Sequence, residues 1–369
     1  MRIGIDARLL YYRPGGIAEY TRRVIQQLAE LDHETDYSVI HHSRDNQTLA
    51  PGPNFRRINS FTPCHHRLER WSLPIELLRY RFDVLHSPDF IPPQGGARRR
   101  VITVHDLHFF HYPQFMTADS RRYYQDQIKW AVQTADHILT LSQATLKDLV
   151  ELLHVPIEKT TIHLMGVDPI FMPLPEAVIA EYRTRLGLPD TYLLFVGTFE
   201  PRKNITGLLE AYHLLLADLP DLPPLVIAGR RGWLYEDIFV RAEQLKLNNR
   251  VIWLEDVALE ALPAVYNGAR VLVFPSHYEG FGLPPLEAMA CGTPVITSNC
   301  SSLPEVVGQA GLLVDPDSPA EIAEAIRQVL TDSQLHERLR TDGLVQAAKF
   351  TWLKTAEIAL QVYHHVSAS

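Results

Sequence analysis

Residues 271–296 read VLVFPSHYEGFGLPPLEAMACGTPVI and predict a strand, a glycine-containing turn, a helix and a second strand. The opening apolar run is typical of a strand that is buried on both faces of a parallel sheet. Gly280 and Gly282 let the backbone turn after this strand, and Pro284 suits the first turn of a helix. The segment therefore predicts a βαβ unit, in which ligands bind at the carboxyl end of the strand.

The same alternation of short apolar strands and helical periodicity extends over the whole chain, as in doubly wound α/β domains. In the first half, the predicted strands are Arg2–Ala7, Tyr37–Ile40, Val84–His86, Val101–Val104 and Ile138–Leu141. In the second half, they are Tyr192–Val196, Leu225–Ala228, Val251–Leu254, Val271–Phe274 and Val295–Ile296. Predicted helices include Ile17–Leu31, Gln143–Leu153 (with Ser142 as its N-cap), Glu176–Leu186 and Ile205–Leu215. A boundary between two domains is expected near residues 166–188.

Composition narrows the class of protein. The 369 residues are 46% hydrophobic and 21% charged, with a formal net charge of −8, which disfavours general nucleic-acid binding. The three cysteines have no metal-ligand spacing and fit a reducing compartment. The opening MRIGIDARLL reads as a strand, and no apolar run reaches the roughly 18–20 residues of a membrane span. We expect a cytoplasmic protein, at most peripheral to a membrane.

Two acidic residues bracket the glycine-containing turn. Glu279 and Glu287 flank a predicted helix start, where unpaired amides and the helix dipole favour an anion. The helix start would bind phosphate, and the two carboxylates would bond sugar or ribose hydroxyls. The alternative interpretation is an ordinary turn with two solvent-facing glutamates.

Two further segments suit phosphate binding. GTFEPRKN, residues 197–204, follows a predicted strand and carries Arg202 and Lys203, although a solvated basic turn is the alternative. RPGGIAEY, residues 13–20, places Gly15 and Gly16 before the first helix but lacks further glycines.

TVHDLHFFHYP, residues 103–113, places His105 and Asp106 just past a predicted strand, where site residues belong. Its three histidines raise the alternative of a metal site. No second cluster of carboxylate or cysteine ligands accompanies them, so no metal is predicted.

Together these segments resemble the retaining glycosyltransferases of family GT4, and within them the bacterial mannosyltransferase-B-like group that builds polysaccharides. The resemblance covers nearly the whole chain and implies the GT-B fold, two facing doubly wound Rossmann-like domains with a cleft between them. It implies an acceptor-binding domain (1–170), a nucleotide-sugar donor-binding domain (171–350) and a C-terminal helix (351–369) that crosses back. Its motifs are GGIAEYT, DVLHSPDF, VHDLHFFHYP, ADHILTLSQATLKDL, MGVDPIF, GTFEPRKN, LVIAGRRGW, LPAVYNGA and EGFGLPPLE.

The resemblance also implies a role for each site residue. Glu279 would bond hydroxyls of the transferred sugar, and Glu287 would hold the ribose. Backbone amides of Phe281, Gly282 and Leu283 would bond the sugar and the β-phosphate, and Lys203 and Arg202 would neutralise the diphosphate. Gly15 and Gly16 would close over the phosphates from the first domain. His105 would lie beside the reacting sugar, and backbone near Val257 would contact the base. Many family members carry an arginine at the position of Thr198, so either Arg202 replaces it or Lys203 and the amides suffice.

The implied chemistry retains the anomeric configuration, because the acceptor attacks the sugar on the same face from which the leaving group departs. Double displacement, with Asp106 as nucleophile, ranks second. No metal is expected, because the sequence shows no clear Asp-x-Asp motif next to the site. No cofactor is expected either, because the nucleotide-diphosphate sugar is itself a substrate. GDP-mannose is the first expectation for the donor, from the subgroup, and UDP-glucose or another UDP-hexose is the alternative. The expected acceptor is a saccharide or a polyprenyl-linked saccharide.

Residues 65–82 add a candidate surface for an anionic membrane. They combine Arg67, Arg70, Arg79 and Arg81 with aromatic residues. A surface turn and core helix, interrupted by Pro74, is the alternative.

One rival function is an epimerase or phosphorylase of the same fold, and the EGFGLPPLE segment and the absence of a pyridoxal-phosphate lysine motif argue against it. Another is a nucleotide-sugar-binding regulator without activity, and the presence of His105, Lys203, Glu279 and Glu287 together argues against it.

Overall fold

The computed structural model describes residues 1–12, 15–66, 68–219 and 221–368, apart from the side chain of Ala118. Arg13 and Pro14 of the predicted phosphate-binding turn, and Arg67 of the predicted membrane surface, lie outside the described residues. The chain forms two compact units, one of Met1–Gly166 with Thr351–Ser369 and the other of Val167–Phe350. The second unit therefore interrupts the first in sequence.

The first unit is built on a seven-stranded parallel sheet with the order β3-β2-β1-β4-β5-β6-β7. Its strands are β1 Arg2–Asp6, β2 Asp36–His42, β3 Phe55–Ser60, β4 Phe82–Ser87, β5 Ala97–Val104, β6 His137–Thr140 and β7 Thr160–Ile162. Helices between them are α1 Gly16–Leu31, α2 Glu69–Leu77, α3 His108–His111, α4 Ala118–Thr134 and α5 Gln143–Leu153. Ser142 caps α5 as predicted, since its side chain accepts a hydrogen bond from the amide of Thr145.

The second unit repeats this plan on a six-stranded parallel sheet with the order β10-β9-β8-β11-β12-β13. Helix α6 (Glu176–Leu186) precedes the strands β8 Tyr192–Val196, β9 Leu225–Gly229, β10 Val251–Glu255, β11 Ala269–Phe274, β12 Val295–Ser298 and β13 Gly311–Val314. The other helices are α7 Ile205–Asp218, α8 Glu236–Gln244, α9 Leu262–Asn267, α10 Leu283–Ala290, α11 Leu303–Val307, α12 Pro319–Thr331 and α13 Ser333–Ala347.

The last helix, α14 (Trp352–Ala368), belongs to the first unit. The hydroxyl of Tyr363 lies 2.6 Å from Nδ1 of His86 on β4, and Thr355 donates to the carbonyl of Leu164 at 2.6 Å. The helix is thus tied to the first unit by polar contacts, of which that of Tyr363 is buried, as well as by apolar packing.

Both sheets reverse their strand order beside their first strand, between β1 and β4 and between β8 and β11. In open α/β sheets, the loops at the carboxyl ends of such strands diverge and leave room for a ligand. The sequence predicted β8 and β11 because they contain continuous apolar runs, and β8 is buried at every position.

Helix α2 corrects one prediction. Pro74 was expected to interrupt this segment, but the helix continues through it. Proline lacks the amide that would bond the carbonyl of Arg70, and the amide of Gln94 takes this place at 3.0 Å. Because a distant loop satisfies the carbonyl, the sequence pattern could not reveal that the helix persists.

Candidate functional site

The ends of β8 and β11 bring two separately predicted motifs together in the second unit. After β8, a short 3-10 turn (Pro201–Lys203) ends at Lys203. After β11, the loop reaches Glu279, whose Oε1 accepts a hydrogen bond from Lys203 Nζ at 2.6 Å. Both side chains are about nine-tenths buried, with 11% and 10% exposed. The switch point of this sheet therefore holds a buried ion pair.

The carboxylate of Glu279 has further partners. Arg202 donates to its Oε2 at 2.9 Å, and the hydroxyl of Ser276 donates to its Oε1 at 2.7 Å. Burial by itself would raise the pKa of Glu279, but the charges of Arg202 and Lys203 outweigh it and hold the pKa below its ordinary value. Glu279 is therefore an ionised, buried carboxylate, and the alternative of a solvent-facing glutamate is wrong for it.

Arg202 connects the two loops. One terminal nitrogen donates to the carbonyl of Tyr278 at 2.5 Å as well as to Glu279, and the other donates to Glu200 at 2.7 Å. Glu200 is buried. The alternative of a solvated basic turn is therefore wrong, and the two cations of this turn are balanced by two carboxylates.

Gly282 sets the start of α10. Its φ of +115° lies in the left-handed region, and a Cβ there would approach Cδ2 of Leu303 to 2.8 Å. The preceding loop is pinned because the hydroxyl of Ser302 donates to the carbonyls of Glu279 and Phe281 at 2.8 and 2.7 Å. The helix starts as predicted, with Leu283 as its first residue.

The start of α10 offers an anion few but well-placed donors. Among the described side chains, none caps this helix start. Pro284 and Pro285 follow Leu283 and carry no amide hydrogen, so they contribute no donors. The first amides available to an anion are therefore those of Gly282 and Leu283, two of the three that the resemblance implies.

Glu287 lies one turn into α10 and is half-buried. Tyr266 of α9 donates to its Oε2 at 2.7 Å. This hydrogen bond fixes one side of the carboxylate, so Tyr266 is a residue of the site that the sequence motifs did not indicate. Ser276 and Ser302 were also missed: Ser276 bonds Glu279 three residues on, and Ser302 reaches back 23 positions to the carbonyl of Glu279.

His105 lies in the first unit, immediately after β5. Its Nε2 is 2.7 Å from the carbonyl of Pro88, which can only accept, so Nε2 carries the proton. Burial lowers the pKa of His105 despite the nearby carboxylate of Asp89. The ring is therefore neutral at pH 7, and it packs edge-on against Tyr20 with ring centroids 5.1 Å apart.

The other two histidines of this segment have separate partners. His108 Nδ1 is 2.6 Å from Asp106, and His111 Nε2 is 2.9 Å from Asp148. Within the described ranges, no group of three or more histidine, cysteine or acidic side chains could hold a metal ion.

The remaining predicted residues are placed as follows. Gly15 and Gly16 are exposed, and α1 begins at Gly16. Val257 follows β10, an edge strand of the second sheet, and is partly exposed. Thr198 is exposed in the loop after β8. Gly15, Gly16 and His105 belong to the first unit, whereas Val257, Thr198 and the Lys203–Glu279 pair belong to the second. No helix in the described part of the chain is long and apolar enough to cross a membrane.

Comparison with protein families gives two matches. The model of Glycosyltransferase Family 4 matches residues 14–170, and that of Glycosyl transferases group 1 matches residues 179–344. The two matches correspond to the two units of the structure. Together they take in the motifs on which the resemblance was based, except for Phe171, the last residue of MGVDPIF.

Individual proteins agree with these matches. O-antigen chain mannosyltransferase B of Escherichia coli is 34% identical over 92% of this chain and 87% of its own. D-inositol 3-phosphate glycosyltransferase of Thermobispora bispora is 30% identical over 95% of this chain and 89% of its own. Among solved structures, sucrose-phosphate synthase of Thermosynechococcus elongatus has a TM-score of 0.81 at 23% identity, over 100% of this chain and 99% of that one.

The structural likeness confirms the predicted fold class, and the family models confirm the predicted resemblance. The chain therefore belongs to family 4 of the glycosyltransferases, enzymes that transfer a sugar from a donor to an acceptor.

Proposed function

We propose that this chain is a retaining, metal-independent hexosyltransferase that moves mannose from GDP-mannose to a saccharide or lipid-linked saccharide. The observation that carries the proposal is the buried Lys203–Glu279 pair at the switch point of the second sheet. A cation for the diphosphate and a carboxylate for sugar hydroxyls lie together there, beside the amides that open α10.

The choice of mannose is supported by the name of the E. coli relative. The Thermobispora bispora relative is named for a different acceptor, so family membership alone leaves the acceptor open. A UDP-hexose is the alternative donor. An O-antigen chain is a saccharide, and this supports a saccharide as acceptor.

Donor binding would exchange partners within the pair. The diphosphate competes with Glu279 for the ammonium of Lys203, and the hydroxyls of the transferred sugar then bond the carboxylate that Lys203 leaves. As the bond to the leaving phosphate breaks, Lys203 and the amides of Gly282 and Leu283 stabilise the growing negative charge. This division needs no Lewis acid.

Same-face attack is the proposed route to retention, with the departing phosphate accepting the proton of the acceptor hydroxyl. The competing double displacement needs a nucleophilic carboxylate, and Asp106 was its candidate. The Oδ1 of Asp106 lies 2.6 Å from Nδ1 of His108 and accepts a bond from the amide of the same residue at 3.2 Å. These bonds hold the carboxylate against its own loop and favour same-face attack.

A thermal-shift screen tests the donor, because a ligand at 100 times its dissociation constant stabilises the folded protein by about 2.7 kcal/mol. GDP-mannose should raise the melting temperature and UDP-glucose should not, with or without EDTA. If only UDP-hexoses raise the melting temperature, the donor is a UDP-hexose and not GDP-mannose. Proton NMR of the product then reads the anomeric configuration, and an inverted product or loss of activity in EDTA would refute retention or metal independence.

Peripheral contact with an anionic membrane is the second part of the proposal, in keeping with a cytoplasmic enzyme that meets lipid-linked acceptors. Large apolar side chains in and around α2 are more than half exposed: Phe61, Leu68, Trp71, Ile75 and Leu78. The spacing of the last four is that of one helix face. The opposite face is buried through Leu73 and Leu77.

The charges around this face suit an anionic surface. Arg79 and Arg81 are exposed, whereas Glu69 bonds the buried Arg8, and Glu76 accepts from the amides of Phe61 and Thr62. The two glutamates of this segment are thus bonded within the protein, whereas its exposed charged side chains are cationic.

Flotation with phosphatidylglycerol vesicles tests this surface. Wild type should float at low salt, and Trp71→Ser/Ile75→Gln should stay at the bottom. Val345→Gln, which removes an exposed aliphatic side chain of the second unit, should float like wild type. If wild type fails to float, or if the double variant floats equally well, the membrane contact is refuted.

A further inference from the structure

A chain of hydrogen bonds links the first sheet to the helices α1 and α14. It runs from Tyr363 on α14 to His86 on β4, then to Thr103 on β5, Tyr20 on α1 and His163 just after β7. The four distances, in this order, are 2.6, 2.8, 2.9 and 3.2 Å. All five residues are completely buried. None of the roles assigned above explains why so many polar side chains lie in this core.

The chain consists of neutral groups. Burial lowers the pKa of His86 well below its ordinary value and that of His163 to about 3, and it raises the pKa of Tyr20 above its ordinary value. A neutral imidazole donates from one ring nitrogen and accepts at the other. Because both nitrogens of His86 are bonded, the direction of one of its hydrogen bonds fixes the direction of the other. The chain is therefore held by directed hydrogen bonds and not by charge.

Tyr20, in the middle of this chain, packs against His105. The two rings are almost perpendicular, at 88°, and their centroids are 5.1 Å apart. Among the described residues, the imidazole of His105 makes one hydrogen bond, from Nε2 to the carbonyl of Pro88. A ring that is held at one atom can still tilt. The ring of Tyr20 supplies a second contact, so Nδ1 of His105, which carries no proton, keeps one direction as an acceptor.

Tyr20 also fixes the start of α1. It lies about one turn after Gly16, the first residue of this helix. Its hydroxyl bonds Thr103 near the end of β5, and His105 follows directly after this strand. Two residues of the expected site, Gly16 and His105, therefore both depend on where the side chain of Tyr20 is held.

We propose that Tyr20 is a positioning residue of the transferase: it orients His105 so that Nδ1 accepts a hydrogen bond from the transferred sugar, and Thr103 and His163 hold its own hydroxyl in place. The inference rests on the proposed function, in which His105 lies beside the reacting sugar, and it deepens that function by naming the side chain that orients this histidine. Tyr20 itself is fully buried and acts only through His105. A misplaced imidazole should slow the reaction and leave nucleotide binding intact, because GDP contains no part of the transferred sugar.

Two substitutions of Tyr20 separate the effect of its ring from that of its hydroxyl. Tyr20→Phe keeps the packing against His105 but removes the bonds to Thr103 and His163, and it should lower kcat by about fivefold. Tyr20→Leu removes the ring contact as well, and it should lower kcat by roughly a hundredfold. The assay is hydrolysis by water of GDP-mannose, or of the nucleotide sugar that the thermal-shift screen selects, since it needs no acceptor. Affinity for GDP, measured by calorimetry, should change by less than about threefold in both variants.

Tyr37→Phe is the matched control. Tyr37 is also a fully buried tyrosine of the first unit, but its hydroxyl donates to Asp32, at 2.8 Å, and not to a member of the chain. This control should lose stability as Tyr20→Phe does and keep the kcat of wild type. A double variant then tests whether Tyr20 acts through His105. When it is added to His105→Ala, Tyr20→Phe should change kcat by less than about twofold.

Nitrogen-15 NMR of histidine-labelled protein reads the orientation of His105 without turnover. The signals of His105 are those that are missing from the spectrum of His105→Ala. Wild type should show a single tautomer with the proton on Nε2, and Tyr20→Leu should show a mixture of both tautomers. If Tyr20→Leu fails to fold, Tyr20→Phe gives the same comparison with a smaller expected effect. Tyr37→Phe should give the spectrum of wild type at His105.

The outcomes separate this inference from the proposed function. If wild type hydrolyses the nucleotide sugar and Tyr20→Phe is as active as Tyr37→Phe, Tyr20 does not position the reacting groups. If Tyr20→Phe lowers kcat by the same factor with and without His105, it does not act through this histidine. If no nucleotide sugar binds at all, the proposed function fails, while the NMR spectra still decide whether Tyr20 orients His105. An unchanged single tautomer in the Tyr20 variants would refute that orientation.

Discussion

Nζ of Lys203 lies 2.6 Å from Oε1 of Glu279, across 76 positions of sequence, and joins the ends of two neighbouring strands. Two of the proposed donor-binding groups are thus each other's partner. The pair holds the lysine in a buried, charge-balanced position. A diphosphate must bind Lys203 more strongly than Glu279 does. It can do so because it carries more negative charge and would also accept hydrogen bonds from the amides of α10.

Lys203→Met should destabilise the second unit. It leaves Glu279 buried with one cation fewer, and we expect a loss of about 3 kcal/mol, near the lower end of the cost of breaking a buried pair, because Arg202 and Ser276 remain. Urea denaturation measures it. Glu279→Gln added to Lys203→Met should recover part of the loss, and strictly additive losses in the double variant would show that the pair is not coupled.

Acid should unfold the protein partly through Glu279. The folded-state pKa of Glu279 lies below the ordinary value of 4.5. Its stabilising contribution is therefore present above that value and is lost as the pH falls through the lowered, folded-state pKa. The melting temperature of wild type should fall more steeply than that of Glu279→Gln between pH 5 and about pH 3. Parallel curves for the two proteins would contradict the pairing.

The sequence predicted the central strands well because they are buried on both faces. VLVF and YLLFV leave few alternatives, and both are strands. The edge strands β3 and β7 were missed, since FRRINS carries two arginines and an asparagine and TTI is short and half-buried. The edge strand β13 was also missed. Edge strands bury less apolar surface, so their pattern is weaker.

The site was predicted in its parts but not in its connections. Motif and resemblance gave Lys203 and Glu279 as separate groups, and the structure pairs them. The bond from Tyr266 to Glu287 likewise joins two helices that lie 21 positions apart in the chain. No periodicity reports such contacts, because they follow from the order of strands in the sheets.

Arg202 should act by positioning Glu279 and not by binding the diphosphate. Its guanidinium bonds Glu200, the carbonyl of Tyr278 and Glu279, so a phosphate would have to displace protein partners. Arg202→Lys should lower kcat at least tenfold while the affinity for GDP, measured by calorimetry, changes less than threefold. Lys203→Met is the comparison, because it should weaken GDP strongly. Equal losses of GDP affinity in the two variants would indicate that Arg202 does bind the diphosphate.

Gly282→Ala should disturb the start of α10. The substitution forces an alanine to φ +115° and brings its Cβ to 2.8 Å from Leu303, so we expect a loss of about 1–3 kcal/mol in stability and weaker binding of nucleotide diphosphate. Gly187→Ala is the matched control, since Gly187 also has a positive φ, +65°, but no atom within 4 Å of its Cβ position. Its nucleotide affinity should equal that of wild type. An unchanged affinity in Gly282→Ala would mean that the amides of this turn do not bind the ligand.

Substitutions of the two glutamates that bracket the turn should have different effects, one on nucleotide affinity and the other on sugar transfer. Glu287 is proposed to hold the ribose, and loss of hydrogen bonds from a charged acceptor costs about 1.5–3 kcal/mol, so Glu287→Gln should weaken GDP and GDP-mannose alike by roughly ten- to hundredfold. Tyr266→Phe should give a smaller loss of the same kind, because it removes only the hydroxyl that fixes Glu287. Glu279→Gln should keep most of the affinity for GDP and lose transfer, because Glu279 is proposed to bond the sugar of the donor and no part of GDP. Calorimetry with GDP, on variants whose melting is first compared with wild type, separates the two. If Glu279→Gln loses GDP affinity while Glu287→Gln keeps it, the two assignments must be exchanged.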